Sequence, residues 1–271
     1  MEFVTSNVAY QSNRRMFREI ERGMGWKIIR AGRIRINHSN LYEASICMIF
    51  CDGLKLFQTV LYLWRRGHLE AAIILTRSLF ERAVDALYMS KDTSARAARY
   101  ARFGQVSGYK FLQDLRSEFG PSDAVREKQF QELEKDVTPY LRYYGGRHWS
   151  GNDIYQRAKA VGLVRHYRIS HAQYCEYAHS DPSSAVRSVK LLSTGGLECR
   201  YAPRTGYDDT DYMARFVMTE SAKYTMLLLA VFSSIFRLGL TPALNGAIDK
   251  LRANEDFSQC FQANRVLWRK K

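Results

Sequence analysis

Between His68 and Met89 the chain reads HLEAAIILTRSLFERAVDALYM, a helical pattern with Arg77 and Glu81 set among apolar residues. At about 100° per residue, Glu70, Arg77, Glu81 and Tyr88 fall within roughly 60° of one another. The other faces carry Ile73, Ile74, Leu75, Leu79, Phe80, Val84 and Leu87. A helix that is apolar nearly all round is expected to be buried nearly all round. A guanidinium and a carboxylate are costly there unless they pair and fill their remaining hydrogen bonds. The segment therefore predicts a buried helix whose Arg77 and Glu81 form either an ion pair of the core or the floor of a site.

The flanking sequence predicts more helices of the same kind. Prolines fall only at positions 121, 139, 182, 203 and 242, which leaves room for long uninterrupted segments. Asn40 to Arg66 reads as a core helix capped by Ser39 or Asn40, and the break at Gly67 folds it against the His68 to Met89 helix. A third helix is expected from Thr93 to Glu118, stopping at Gly120-Pro121, and a polar fourth from Ser122 to Asp136, ended by Pro139. The helix DIYQRAKAVG should be capped by Ser150 or Asn152 and end at Gly162, with the next running from Val164 to His179. Residues 192–209 read as an extended piece or small hairpin. The last long helix, 210–238, contains the apolar run Thr225 to Phe236, too short for the roughly 20 residues a membrane span needs, so it is expected in the core. The fold expected is all-α, a single multi-helix bundle with long antiparallel core helices. Its organisation would be a basic arm or helix at 1–38, a helical core at 39–240, and a C-terminal helix and basic tail at 241–271.

Charge narrows the partners. The formal net charge is +14, from 41 Lys plus Arg against 27 Asp plus Glu, and 29 of the cations are arginine. Arginine suits bidentate contact with phosphate, so RNA or another anionic partner comes first and a membrane surface second. The arm carries Arg14, Arg15, Arg18, Arg22, Arg30, Arg33 and Arg35 between Phe17, Ile20, Trp26 and Ile28, a pattern that can dock on the body or on a partner. The five cysteines, at 47, 51, 175, 199 and 260, form no CxxC pair and read as free, buried thiols. With no apolar leader near Met1, a reducing cytoplasm is expected. Neither metal nor cofactor is expected: Cys47 and Cys51 lack further soft ligands, and GxGxxG, GxxxxGK[ST], HExxH and GxSxG are missing. No transmembrane segment is expected, and a homodimer is left open.

Two clusters are candidate sites. On the Val164 to His179 segment, Arg168, His171, Cys175 and His179 lie within about 80° of one another if the helix is regular. Two imidazoles can share acid and base duties near neutral pH, and an arginine can stabilise charge developing on phosphate, which together suffice for metal-independent RNA cleavage. Arg77 would then steady phosphate and Glu81 orient Arg77. The plainer alternative is that these histidines hydrogen-bond to neighbours. The second cluster is the aromatic and basic loop 140–151, where Arg147, His148, Trp149 and Ser150 are binding candidates, with Ser180 and Asp181 further on.

Several of these residues carry a resemblance. His68-Leu-Glu-Ala-Ala with Arg77, Glu81 and Tyr88, then His148-Trp149-Ser150-Gly151, Tyr167-Arg168-x-Ser170 and Ala178-His179-Ser180-Asp181, resemble a bacterial family of uncharacterised helical proteins, the domain of unknown function numbered five-six-seven-seven. The resemblance spans roughly residues 40 to 240 and implies a helical fold and no established activity. A more distant similarity is to the HEPN superfamily, whose members often cleave RNA without metal through an Arg followed, after four to six residues, by His. That spacing occurs at Arg33 to His38, Arg142 to His148 and Arg165 to His171; a His166 follows Arg165 where a polar residue is usual. Two functions are thus carried forward: a non-catalytic binding or scaffold module with a basic surface, and a HEPN-like ribonuclease or nucleic-acid-binding protein in a toxin or phage-defence setting.

Overall fold

The computed structural model describes residues 40–121, 123–144, 148–171, 174, 189–191, 197–199, 208–238, 242–253 and 255–268. The basic arm at 1–38 lies outside the described residues. Helix α1, Leu41–Arg65, starts where the side chain of Asn40 accepts hydrogen bonds from the backbone N–H groups of Tyr42 and Glu43, both at 3.2 Å. Gly67 takes a φ of 80°, a conformation glycine adopts without strain, and turns the chain into α2, Leu69–Met89. These two helices and α7, Asp208–Phe236, pack on one another to make the centre of the fold. Phe50 stacks on Phe232 with ring centroids 3.9 Å apart, and Phe80 meets Tyr224 edge-on. Burying each such side chain stabilises the fold by about 1.5–3 kcal/mol, so this centre dominates the core. α1 is also long and apolar enough to cross a membrane by length and composition, and its inner face is spent on α2 and α7.

Helix α3, Thr93–Phe119, and α4, Ala124–Tyr144, pair beside this centre around Val106, Tyr109, Phe130, Val137 and Tyr144. α4 continues beyond the predicted end at Asp136 and through Pro139. The missing N–H costs one backbone bond, but Val137 and Tyr144 are buried in the cluster on either side of the proline and hold the helix together across it.

Helix α5, Ile154–Ala160, is capped by Asp153 and not by Ser150 or Asn152: Asp153 accepts from the Gln156 N–H at 2.7 Å and Gln156 Oε1 accepts from the Asp153 N–H at 3.2 Å. Gly162, at φ 78°, leads into α6, Val164–His166. Of the regular helix expected from Val164 to His179, Val164–His166 and Tyr174 are α-helical, and residues 172, 173 and 175–179 lie outside the described residues. From Tyr167 to His171 the chain makes a turn of π-helix instead. Val189–Leu191 and Leu197–Cys199 form β1 and β2, an antiparallel pair with Lys190 opposite Glu198, which places the expected hairpin slightly earlier than predicted. The chain closes with α8, Pro242–Ala253, α9, Glu255–Ala263, and α10, Arg265–Trp268. The all-α bundle is as expected.

Candidate functional site

Two polar clusters sit on α2, and they differ in their access to solvent. The first is sealed. Asp85 pairs with Arg157 from α5, with side chains 2% and 4% exposed. From there a chain of charges runs outward: Asp85 Oδ2 lies 3.8 Å from Arg82 Nη1, and Arg82 Nε donates to Asp52 on α1 at 2.6 Å. Burial pulls the Arg157 pKa down to about 10, against the charge of Glu81 and aided by that of Arg82, so it stays a cation at neutral pH. Sequence reading missed this pair, although Asp85 stands one turn beyond Glu81 on the same side of α2.

The second cluster opens to solvent. Arg77 and Glu81 are 23% and 33% exposed, so the expectation of a helix buried all round fails at these two positions. His171, far along the chain, is brought against them: its Nε2 lies 3.0 Å from Glu81 Oε1 and 3.3 Å from Arg77 Nε, and Arg77 Nε lies 3.2 Å from the same carboxylate oxygen. Glu81 Oε1 can only accept while ionised, so the His171 Nε2–H and the Arg77 Nε–H both donate to it. Burial works against the charged carboxylate, but the His171 hydrogen bond and the charges of Arg77, His171 and Arg157 outweigh it and hold the Glu81 pKa below its usual value. Glu81 is therefore an anion at neutral pH, fixed by two donors.

The π turn makes this meeting possible. Tyr167 stacks on the His171 ring with centroids 4.9 Å apart, and Phe80 flanks it at 5.6 Å. Widened turns of this kind are frequent where a helix must re-aim a side chain at a functional site. Upstream, His166 anchors the segment: its ring lies 4.1 Å from Phe257, and its Nδ1 is 3.4 Å from Glu220 Oε2 on α7. Glu220 also accepts from Tyr224 at 2.7 Å and Lys223 at 2.8 Å. Burial disfavours its charge, but the His166 bond and the Lys223 charge win and depress its pKa to about 2. A depressed carboxylate stabilises the fold above its ordinary pKa, and that contribution disappears as pH falls through the folded value. The stability carried by Glu220 should thus be lost between about pH 4.5 and pH 2. Acid titration of circular dichroism should show a loss in this window that Glu220→Gln flattens; an identical profile in the variant would rule the assignment out.

The remaining predicted residues divide between surface, packing and turn. Arg168 is exposed on the π turn, with its Nη2 3.5 Å from the Tyr155 hydroxyl. Trp149 is 1% exposed, wedged edge-on between Tyr88 and Tyr100, so the surface role expected of it gives way to packing. Ser150 shapes the turn: its Oγ donates to the Asn152 carbonyl at 3.0 Å and lies 3.2 Å from His148 Nδ1. Burial lowers the His148 pKa, with Glu81 opposing and Arg82 assisting, which keeps this imidazole neutral. Arg147, His179, Ser180 and Asp181 lie outside the described residues, as does Cys175 of the expected stripe. Cys47 and Cys51 are half-buried free thiols and Cys260 a fully buried one. Among the described residues, no group of His, Cys, Asp and Glu could hold a metal ion.

A helical bundle with a partly exposed Arg77-Glu81 pair backed by a buried histidine on a π turn is the class these features define. The chain belongs to a family of unknown function, DUF5677, matched over residues 43–196, a span that includes Arg77, Glu81, Asp85, Arg157 and His171. No curated protein and no solved structure matches it.

Proposed function

We propose that the protein is a non-catalytic helical module that binds single-stranded RNA, with Arg77, Glu81 and His171 at the base of its binding face and Arg168 on the rim. The observation that carries this reading is the contrast between the two clusters. A pair kept for stability alone needs no access to water, and Asp85 with Arg157 has almost none. Arg77 and Glu81 keep theirs. The turn that delivers His171 also presents Arg168 beside the half-buried rings of Tyr155 and Tyr167, the combination of cation and aromatic surface that single-stranded nucleic acid uses for phosphate contact and base stacking. The excess of arginine over the chain supports the same partner.

A ribonuclease is the second reading, favoured by the carboxylate-histidine contact at 3.0 Å, the geometry in which an acid orients a general base. Against it, the His171 side chain is only 3% exposed and its Nε2 is committed to Glu81. A group so enclosed is badly placed to exchange a proton with bound RNA.

One titration tests both. Fluorescence anisotropy of a labelled single-stranded RNA should rise with added protein and weaken steeply with salt. Arg168→Ala and Arg77→Ala should each weaken binding by about tenfold, corresponding to about 1.4 kcal/mol, and lower the salt slope by about one. Lack of binding at low salt, or unchanged binding in both variants, would sink the proposal. Cleavage of the RNA in excess EDTA, lost in His171→Ala, would transfer the assignment to the ribonuclease.

A further inference from the structure

We infer that Cys47, Met48 and Cys51, on the outward side of α1, form a three-sulfur binding site for copper(I). The inner side of this helix is a fixed support: Ile46, Ile49 and Phe50 are buried, and a Cβ added at Gly53 would stand 2.5 Å from a Leu228 methyl on α7. Cys47 and Cys51 lie at the edge of that contact, half-buried, and Met48 stands clear of it at 54% exposure. At about 100° per residue, Cys51 lies one turn above Cys47 and about 60° round from Met48, so it neighbours both on the helix surface. The two thiols are close enough for the Cys47 S–H to donate a hydrogen bond to the Cys51 sulfur.

Their spacing suits chelation and not cross-linking. Side chains four apart on a helix have Cβ atoms about 5–6 Å apart, whereas a disulfide needs about 3.5–4.5 Å. A regular turn of α1 therefore keeps both sulfurs available to a ligand held between them. Cys260 shows the contrasting use of a thiol: it is fully buried, and its Sγ lies 3.8 Å from Asn264 Nδ2. A cysteine kept only as a small apolar side chain needs neither access to solvent nor a second sulfur beside it.

Ligand chemistry selects the ion. Cysteine and histidine alone leave the pair short of a ligand set, and the thioether of Met48 completes one. Thiolate and thioether sulfur together favour copper(I), whereas zinc prefers four ligands and magnesium or calcium an oxygen shell. The adjacent carboxylate, Asp52, is committed to Arg82 at 2.6 Å. Both cysteines bind as thiolates, so a monovalent ion leaves a single net negative charge on the site. The Lys55 ammonium, whose charge acts on Cys51 from one turn further along α1, offsets it.

Anaerobic titration of the fully reduced chain with copper(I) against the chromophoric chelator bicinchoninate should show the protein withdrawing copper from the chelator. X-ray absorption of the loaded chain should find three sulfur neighbours around the ion. Cys47→Ser with Cys51→Ser should abolish the withdrawal, and Met48→Leu should weaken it several-fold and leave two sulfur neighbours. Met48 is exposed, so its variant keeps the test valid even where circular dichroism shows the cysteine variant to be unfolded. Zinc(II) offered in a parallel competition should bind far more weakly. A chain that takes no copper from the chelator, full binding by a folded double cysteine variant, an unchanged affinity and sulfur count in Met48→Leu, or zinc held as tightly as copper would each overturn the inference.

Discussion

Asp85→Ala should lower the unfolding free energy by about 3–5 kcal/mol, as loss of one partner from a buried ion pair does. The Arg157 guanidinium would remain in a site where its side chain is only 4% exposed, with the like charge of Arg82 acting on it. Its Nε already lacks a hydrogen-bond partner among the described residues, so little slack exists to absorb a second loss. Glu81→Gln makes the comparison. That side chain is a third exposed and solvent can take over its donors, so the cost should stay below about 1 kcal/mol. Urea unfolding followed by circular dichroism, with slopes compared to keep two-state behaviour in view, measures both. Equal effects of the two substitutions would remove the distinction between a sealed structural pair and an open site on which the functional reading depends. Replacing Asp85 and Arg157 together by leucine and methionine should recover most of the loss, because the penalty comes from the orphaned charge and not from the missing attraction.

The long helices were legible because their information is local. Apolar spacing, the Asn40 cap and the glycine at position 67 act within a turn or two of themselves, and α1, α2 and α3 begin and end within about a residue of their expected bounds. The anomaly at Arg77 and Glu81 was legible for the same reason, since both lie on one helix. Its resolution was not. Which acid on α2 is sealed depends on where α5 docks, and Arg157 is 72 residues from Asp85 in the chain. Once Arg157 takes Asp85, Arg77 and Glu81 are left nearer the solvent, a consequence of packing that no periodicity carries. The π turn at Tyr167–His171 hid in the same way. A 3.6-residue period puts Arg168, His171 and Cys175 on one stripe, yet the observed turn separates exposed Arg168 from buried His171, held by contacts with Phe80 on α2. Trp149 misled for the opposite reason: loop composition suggested exposure, but an indole wedged against Tyr88 and Tyr100 is worth more buried.

Gly162→Ala tests how rigidly that turn is aimed. Gly162 has a φ of 78°, a left-handed conformation that costs an alanine about 1–2 kcal/mol. An added Cβ would also stand 2.5 Å from the Gln259 carbonyl oxygen and 2.8 Å from the Cys260 nitrogen. These are backbone atoms of α9, and they cannot swing aside as a side-chain tip can. They are further fixed by Asn264, whose Nδ2 donates to the Val161 carbonyl at 3.1 Å and the Cys260 carbonyl at 2.7 Å. Overpacking in a fixed core adds about 1–3 kcal/mol, so the total loss should be about 2–5 kcal/mol. The effect should not stop at stability. The α5 to α6 turn sets where α6 begins, α6 leads directly into the π turn, and the π turn holds His171 against Glu81 at 3.0 Å. If α9 clamps the site through this turn, Gly162→Ala should weaken RNA binding under conditions where the variant is still fully folded, and proton NMR of the His171 ring should report an altered environment. A variant as stable as the wild type would show that α9 yields to the methyl group. A destabilised variant with wild-type affinity and an unshifted His171 signal would show that the cluster is held by α2 and α7 alone.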